Sequence, residues 1–285
     1  GTQQVIYDER SPKYVDHLNK TFYFLEDGRC FIVREETSTG YMHLYLYGIG
    51  QGVLHPITQG EWEVTDFVGL RGDKVYYIST ESSPLKRDLY RVGLDGKHKE
   101  RLTPGDGYYS IYPSADLSYY ICEGGDSSAP GRTDVFNAAG KRVRTLYDNA
   151  PLKEALVEAG LPVREFFTFT TERGDELNGY MLKPLDFDPA KRYPVLLTQY
   201  SGPGSQQVAE GWGPDWEDAL VTHGYIVVCV DPRGTGYRGE EFKKLTYGNL
   251  GRLEVEDQIS TARYMARQSY VDPARIGIYG WSYGG

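Results

Sequence analysis

The stretch that decides the fold is Arg275-Ile276-Gly277-Ile278-Tyr279-Gly280-Trp281-Ser282-Tyr283-Gly284-Gly285. Its second half follows the pattern G-x-S-x-G, which is typical of a turn that lifts a serine out of a sheet for attack on a carbonyl. The turn is sharp and strained, so only small residues fit two positions before and two positions after the serine. The apolar run Arg275–Tyr279 predicts the strand that must precede such a turn. The pattern is short, and its context has to support it.

From about residue 148 onward, predicted strands alternate with predicted helices. They are, in order, strands Glu165–Thr170, Leu177–Lys183 and Tyr193–Gln199, helix Pro214–His223, strand Tyr225–Val230, helix Leu253–Gln268 and strand Arg275–Tyr279. This alternation implies right-handed crossovers and a parallel sheet. Residues 148–285 are therefore predicted to be the N-terminal part of an α/β-hydrolase domain that reaches as far as the serine turn.

Two helices of this half carry further expectations. Asn149 is predicted to be the N-cap of a helix that starts at the domain boundary, has an apolar face that includes Leu152, and ends at Gly160. The helix over Leu253–Gln268 has apolar residues at helical spacing, which predicts that they face the core. These residues are Val255, Ile259, Ala262 and Ala266.

Residues 1–147 contain short runs rich in Tyr, Val and Ile between Gly and Asp turns, without helical periodicity. They also repeat, because Leu44-Tyr45 and Leu89-Tyr90 are 45 residues apart, as are Ile57-Thr58 and Leu102-Thr103. A period near 45 with about four strands per unit is typical of β-propeller blades, while a β-sandwich or plain meander is the alternative. Three units cannot close a propeller, so we expect its C-terminal blades only, and a mixed β and α/β fold for the whole chain.

Composition argues against several classes of function. A net charge of −9 over 285 residues disfavours nucleic acid as a partner. No apolar run reaches the about 18 residues of a membrane span. Cys30, Cys122 and Cys229 are widely separated and form no C-x-x-C pair, so no metal site, cofactor or disulfide framework is expected. No signal segment is evident, and because Gly1 is not a methionine we expect a processed product or a piece of a longer protein.

Further motifs surround the serine turn. They are Tyr200-Ser201-Gly202-Pro203, Arg233-Gly234-Thr235-Gly236, Glu254-Val255-Glu256-Asp257-Gln258 and, in the first half, Thr58–Val64. Together with the turn they resemble the prolyl oligopeptidase family of serine peptidases, most closely its dipeptidyl peptidase IV branch of bacterial type. Pro232 departs from the family pattern, in which glycine is common. The resemblance covers the second half strongly and the first half more weakly, and it implies propeller blades followed by an α/β-hydrolase domain.

The chemistry of the turn and the resemblance together assign roles to site residues. Ser282 is the expected nucleophile, which would form an acyl-enzyme. The backbone N–H of Tyr283 is an expected oxyanion donor, since the residue after the nucleophile directs its amide at the developing charge. The resemblance implies that the hydroxyl of Tyr200 is the second donor. Arg233 is expected either to brace the loops of the site or to approach the substrate, and Trp281 to pack in the turn.

In this fold the order Ser, Asp, His places the acid and the base of the triad after the serine, so we expect neither of them among these 285 residues. The histidines, which are expected on surfaces or loops, are His17, His43, His55, His98 and His223. All precede Ser282, so we expect these 285 residues alone to lack appreciable peptidase activity. The pair Glu35-Glu36 is expected in a solvated turn rather than in a site for the amino end of a peptide.

The resemblance implies a serine exopeptidase that removes X-Pro or X-Ala dipeptides from the N-termini of peptides without a cofactor. Alternatives are a tripeptidyl or acylaminoacyl peptidase of the same family, and a catalytically inactive propeller–hydrolase protein that serves as a binding module. The resemblance also implies a location outside the cytoplasm, in the periplasm or at the cell surface, and a homodimer of the whole protein.

Overall fold

The computed structural model describes residues 3–16 and 21–285. The chain forms two compact units. The first consists of residues 1–123, 133–146 and 237–241, and the second of residues 124–132, 147–236 and 242–285. No helix in the described part of the chain is long and apolar enough to cross a membrane.

Three four-stranded sheets follow one another over the first half of the chain. Their strands are β1 (Thr21–Phe24), β2 (Cys30–Glu35), β3 (His43–Gly48), β4 (Gly52–Pro56), β5 (Val64–Arg71), β6 (Lys74–Ser79), β7 (Asp88–Gly93), β8 (Glu100–Arg101), β9 (Tyr108–Pro113), β10 (Tyr119–Gly125), β11 (Arg132–Asn137) and β12 (Arg142–Tyr147). Each sheet pairs its strands in chain order, and the strands of the first two sheets are antiparallel. Each sheet is therefore an open meander of four strands, and the starts of β3 and β7 preserve the predicted spacing of 45 residues.

Side chains of strand β6 belong to two different hydrophobic clusters. Val75 and Tyr77 belong to a buried cluster that includes residues of the first sheet. Tyr76 and Ile78 belong to a second cluster that includes residues of the third sheet. Because successive side chains of a strand point to opposite faces, β6 packs on both neighbouring sheets at once. The run of four apolar residues therefore serves two cores.

A five-stranded mixed sheet forms the core of the second unit, in the order β13-β14-β16-β15-β17. Its strands are β13 (Glu165–Thr170), β14 (Glu176–Leu182), β15 (Tyr193–Gln199), β16 (Ile226–Asp231) and β17 (Val271–Gly280). The helices are α1 (Ala150–Ala159), α2 (Trp216–Thr222), α3 (Glu240–Lys243) and α4 (Arg252–Ala266). Strand β15 is parallel to β16 and β17, which confirms the predicted parallel arrangement for three strands. The hairpin β13–β14 joins β16 in the antiparallel direction.

Helix α1 begins and ends where the sequence predicts, but it is capped and packed differently. Asn149 has a left-handed φ of 57°, and its side-chain amide donates to the carbonyl oxygen of Gly131 at 2.6 Å. Asn149 thus occupies the N-cap position as predicted, but its side chain does not cap the helix, because a capping side chain needs extended backbone there. The carboxylate of Asp148 instead accepts from the first N–H of the helix at 3.1 Å. No residue of α1 is buried, so the apolar face around Leu152 is not a core face.

Helix α4 buries a face next to the predicted one, and of the predicted residues Ala262 is partly buried against the core. Val255 is 57% exposed and Ile259 is 46% exposed. The buried residues are Glu254, Asp257, Gln258, Thr261 and Met265. Helical spacing identifies an apolar stripe, but it cannot say that a polar stripe has hydrogen-bond partners in the interior. The polar side chains of α4 have such partners, and they lead to the candidate site.

Candidate active site

The predicted serine turn directly follows β17. Ser282 has a φ of 58°, in the left-handed region. For a residue other than glycine this conformation costs on the order of 1 kcal/mol, and such strain concentrates at functional sites. A Cβ on Gly280 would overlap the carbonyl oxygen of Gly284, and a Cβ on Gly284 would overlap that of Gln199. The structure therefore requires glycine on both sides of Ser282, at the two positions that the sequence pattern predicts.

Three parallel strands end at the same edge of the sheet. β15 ends at Gln199, β16 at Asp231 and β17 at Gly280. Gln199 pairs with Gly280 in the register of β15 and β17, so Tyr200 and the serine turn emerge side by side. Ligands of open parallel sheets bind beyond the carboxyl ends of the strands. The edge that carries Ser282 is therefore the expected place for a substrate.

Tyr200 and Tyr283 lie next to each other at this edge, with their ring centroids 6.2 Å apart. Tyr200 is 37% exposed, which leaves it open to a ligand from solvent. Its backbone N–H donates to Oε1 of Gln207. Ser201, the next residue, has a left-handed φ of 61°, so the chain turns sharply after Tyr200. The structure thus brings together the two residues predicted to supply oxyanion donors.

Asp231 fixes the loop that carries Tyr200, and sequence reasoning did not identify it. Its buried carboxylate accepts from the N–H groups of Gln207 at 3.0 Å and Val208 at 2.9 Å. The side chain of Gln207 in turn accepts from the N–H of Tyr200. The loop of residues 200–208 is therefore held at its start and at its end. The signal in the sequence was an acid at the end of an apolar strand, because a buried carboxylate needs donors nearby.

Tyr283 is anchored by its side chain to helix α4. Its hydroxyl donates to Oε1 of the buried Glu254 at 2.7 Å. Burial, together with this hydrogen bond and the charge of Glu254, raises the pKa of Tyr283 to about 12. The phenol is therefore a neutral donor at physiological pH, and it ties the residue after Ser282 to a rigid helix.

Arg233 lies in a buried network of ion pairs. It is 6% exposed, and its Nη2 lies 2.7 Å from Oδ1 of Asp257. Its Nη1 lies 3.1 Å from Oδ2 of Asp175, and a carboxylate oxygen of Glu256 is 3.5 Å from Nη2. The hydrogen bonds to Asp257 raise the pKa of Arg233 further. The network joins the loop after β16 to α4 and to the β13–β14 turn, which favours the bracing role over contact with a substrate.

Trp281 does not pack in the turn as expected. It is 76% exposed, the largest exposure of any aromatic side chain reported for the described residues. Hydrogen bonds hold the turn instead, through Tyr283 and through the side chain of Gln199, which donates to the carbonyl oxygen of Gly284. The indole is therefore presented to solvent beside Ser282.

The histidines differ from the expectation that all lie on surfaces or loops. His43 is fully buried, with Nδ1 3.0 Å from Oγ1 of Thr58 and Nε2 2.8 Å from the carbonyl oxygen of Gly60. Burial lowers the pKa of His43, which favours the neutral ring. His223, the histidine of the second unit, is exposed and bonds within its own helix end. His17 lies outside the described residues.

The pair Glu35-Glu36 is buried, so the expectation of a solvated turn is wrong. Glu35 ends β2 and accepts hydrogen bonds from Oγ1 of Thr37 at 2.8 Å and from the N–H and hydroxyl groups of Ser38. Its carboxylate organises the turn after β2 from within. Local donors make the burial of this charge tolerable, and single-sequence patterns do not reveal them.

A cavity of about 480 Å³ lies beside the serine turn in the second unit. Apolar side chains of α4 and β17 line it, and they are Val255, Ile259, Ile276 and Ile278. Tyr283 and Glu254 line its polar end. Among residues 3–16 and 21–285, no group of three His, Cys, Asp or Glu side chains is arranged to hold a metal ion.

Two family models match the chain. The model described as the dipeptidyl peptidase IV N-terminal region matches residues 1–130. The model described as the prolyl oligopeptidase family matches residues 212–285, which include α4, β17 and the serine turn. The two models therefore match different parts of the chain, one in its first half and one in its second half.

Individual proteins give the same result. The chain is similar to a protein named probable dipeptidyl peptidase 4 from Emericella nidulans, with 38% identity over 87% of the chain and 33% of the relative. It is 40% identical to dipeptidyl-aminopeptidase B of Aspergillus niger over 86% of the chain and 28% of the relative. The crystal structure of Porphyromonas gingivalis dipeptidyl peptidase 4 is similar with a TM-score of 0.89 and 40% identity, over 96% of this chain and 39% of that one. The chain spans about a third of the length of the curated relatives it matches.

Proposed function

This chain belongs to the prolyl oligopeptidase family, as its motifs predict, and from that premise we propose that the natural protein containing it is a serine-type dipeptidyl peptidase. Its substrates are peptides, from whose N-termini it removes X-Pro or X-Ala dipeptides. The relatives named above support release of dipeptides. The preference for proline or alanine rests on the family resemblance.

Ser282 attacks the carbonyl carbon of the scissile bond, and its proton passes to a base. The backbone N–H of Tyr283 and the hydroxyl of Tyr200 donate to the oxyanion that forms. The C–N bond then breaks, the amine leaves with a proton, and water hydrolyses the resulting ester on Ser282. Arg233 braces the loops around the site through its carboxylate partners.

A single observation carries this proposal. Ser282 has a left-handed backbone between two glycines that admit no side chain, at the sheet edge where Tyr200 and Tyr283 meet. A serine that served only the fold would not need this strained position. The same arrangement lifts the hydroxyl out of the sheet, where an extended peptide can reach it.

We also propose the domain arrangement that the family implies. The three meander sheets of residues 1–147 are blades of a β-propeller, and residues 148–285 are the first part of an α/β-hydrolase domain. The natural protein lies outside the cytoplasm, in the periplasm or at the cell surface, and forms a homodimer; these two statements rest on the resemblance alone.

We also propose that the 285 residues by themselves lack appreciable peptidase activity. The described residues include no hydrogen bond between the hydroxyl of Ser282 and a histidine, and His223 bonds within its own helix end. Without a base, a serine hydroxyl is a weak nucleophile near neutral pH. Loss of triad members costs on the order of 10⁴-fold or more in rate.

The experiment measures hydrolysis by the natural protein and by its Ser282→Ala variant. The three substrates are the p-nitroanilides of Gly-Pro, of a tripeptide with a free N-terminus and of an acetylated amino acid. We expect hydrolysis of Gly-Pro-p-nitroanilide, and a loss of about 10⁴-fold or more in kcat/KM for Ser282→Ala. Ser260→Ala is the matched control, because Ser260 lies on α4 and donates only to the carbonyl of Glu256. A preference for the tripeptide or the acetylated substrate would instead indicate a tripeptidyl or an acylaminoacyl peptidase. A folded protein that is inactive on all three substrates would support a binding module.

A further inference from the structure

We propose that Gln199 is a positioning residue that locks the serine turn to the loop of Tyr200. The proposal deepens the proposed function and rests on it, since it concerns the geometry of Ser282 and of the two oxyanion donors. Gln199 is the last residue of β15, and it pairs with Gly280, the last residue of β17. It therefore stands between the two loops that carry the proposed chemistry.

The side-chain amide of Gln199 makes one hydrogen bond to each loop. Its Nε2 donates to the carbonyl oxygen of Gly284, two residues after Ser282. Its Oε1 accepts from the hydroxyl of Ser201 at 2.5 Å, directly after Tyr200. A primary amide provides a donor and an acceptor in one planar group, and this bridge needs both.

The bridge continues into the rigid part of the unit. Ser201 is buried, and its hydroxyl oxygen lies 3.4 Å from Nε2 of Gln258 on α4. The same Nε2 donates to the carbonyl oxygen of Val230 in β16 at 3.2 Å. Since the single hydroxyl proton of Ser201 goes to Gln199, its oxygen is left to accept from Gln258. The hydrogen bonds thus run in one direction, from Gln258 to Ser201, to Gln199 and to Gly284.

Gln199 also accounts for the close packing of the turn. A Cβ on Gly280 would lie 2.6 Å from Nε2 of Gln199. A Cβ on Gly284 would overlap the backbone carbonyl of Gln199. The turn therefore rests against Gln199 on both sides of Ser282, and the amide sets how far the N–H of Tyr283 lies from the Tyr200 loop.

Misplacement of reacting groups by about 1 Å can cost on the order of 10²-fold in rate. Loss of the bridge is therefore expected to lower kcat while leaving the bound ground state largely unchanged. Gln199→Met removes both hydrogen bonds at nearly constant length, and Gln268→Met is the matched control, because Gln268 donates to the carbonyl of Tyr264 at 3.1 Å near the end of α4. In the natural protein we expect kcat for Gly-Pro-p-nitroanilide to fall about 10- to 100-fold in Gln199→Met, with KM within about 2-fold and little change in Gln268→Met.

Gln199→Glu provides a readout that loss of folding would not imitate. A carboxylate still accepts from Ser201 but cannot donate to Gly284, whereas its protonated form can do both. The rate of Gln199→Glu relative to wild type is therefore expected to rise as pH falls from about 8 to about 5.5, the range in which a carboxyl of raised pKa takes up a proton. If Gln199→Met does not fold, Ser201→Ala replaces it and is expected to lower kcat about 5-fold or more by breaking the middle of the bridge.

A kcat within about 2-fold of wild type in Gln199→Met, or an equal loss in Gln268→Met, would overturn the proposal. A wild-type protein without peptidase activity would instead contradict the proposed function. The bridge then has its own test, hydrogen exchange of the amides of residues 281–285. Exchange at least 10-fold faster in Gln199→Met than in wild type and Gln268→Met supports the bridge, and unchanged exchange refutes it.

Discussion

Arg233 and Asp257 form a doubly linked buried pair. The guanidinium Nη2 lies 2.7 Å from Oδ1 of the carboxylate, and the backbone N–H of Arg233 donates to Oδ2 at 2.8 Å. The two residues are 24 positions apart, one in the loop after β16 and the other on the buried face of α4. One carboxylate thus fixes both the side chain and the backbone of the loop that follows a central strand.

Asp257→Ala is expected to destabilise the second unit by about 3 kcal/mol, because it leaves a buried cation with weaker partners. Urea unfolding followed by tryptophan fluorescence measures this change. Glu172→Ala is the control, since Glu172 pairs with Arg263 and Arg267 on the surface, where such pairs contribute about 1 kcal/mol or less. Equal effects of the two substitutions would contradict a bracing role for Arg233.

Gly280→Ala is expected to cost about 2 kcal/mol or more and to abolish reaction at Ser282. A methyl group at this position meets the carbonyl oxygen of Gly284 and the amide of Gln199, and overpacking against backbone is not easily relieved. Thermal unfolding and reactivity toward a fluorophosphonate measure the two effects. Gly213→Ala is the control, because a Cβ there has no neighbour within 4 Å. A fully reactive, stable Gly280→Ala protein would show that the turn has more room than described.

Tyr283→Phe is expected to destabilise the second unit by about 1–3 kcal/mol, because it leaves an oxygen of the buried Glu254 without its donor. It is expected to reduce kcat without abolishing it, since the backbone N–H of residue 283 remains. Tyr279→Phe, which removes the hydroxyl of a half-exposed ring, is expected to change stability by about 0.5 kcal/mol or less. The comparison uses urea unfolding and steady-state kinetics, and a neutral Tyr283→Phe would remove the anchoring role of Glu254.

The first unit is expected to lose stability steeply in alkali. Burial, with the charges of Glu35 and Glu81 respectively, raises the pKa of Tyr47 and of Tyr90 to about 12. Unfolded chains ionise tyrosine near pH 10. The stabilisation from these neutral phenols is therefore complete below about pH 10 and is lost as pH rises to about 12.

Absorbance of tyrosinate and circular dichroism, recorded together against pH, measure this loss. We expect the tyrosines of raised pKa to ionise at the same pH at which the circular dichroism of the β-sheets disappears. We expect Tyr90→Phe to make the free energy of unfolding less dependent on pH between about 10 and 12. Complete ionisation near pH 10 with the sheets intact would contradict the burial of these rings.

Elements with a strong local signal could be predicted from the sequence. β13 and β15 have the predicted bounds because continuous apolar or alternating runs between turns determine them. The serine turn is predictable because the pattern G-x-S-x-G is short and contiguous in the sequence. The structure explains the pattern, since Gly280 and Gly284 have no room for a side chain. Membership in the family followed from motifs that cluster at the strand ends, where loops carry function.

Features that depend on long-range polar partners could not be predicted. The inward face of α4 is polar because Asp257 meets Arg233 and Glu254 meets Tyr283, and neither pairing is visible in the spacing of the helix. The burial of Glu35 follows from donors in its own turn, whose directions a pattern does not supply. In each case a charge that composition assigns to the surface is stabilised inside by specific hydrogen bonds.

Covalent labelling measures whether Ser282 is an activated nucleophile in the natural protein, as proposed. The natural protein and its Ser282→Ala variant are treated with a fluorophosphonate, digested and analysed by mass spectrometry. We expect one stoichiometric adduct, on Ser282, that is absent from Ser282→Ala. A folded protein that forms no adduct at Ser282, or that carries the adduct on another serine in both proteins, would contradict it.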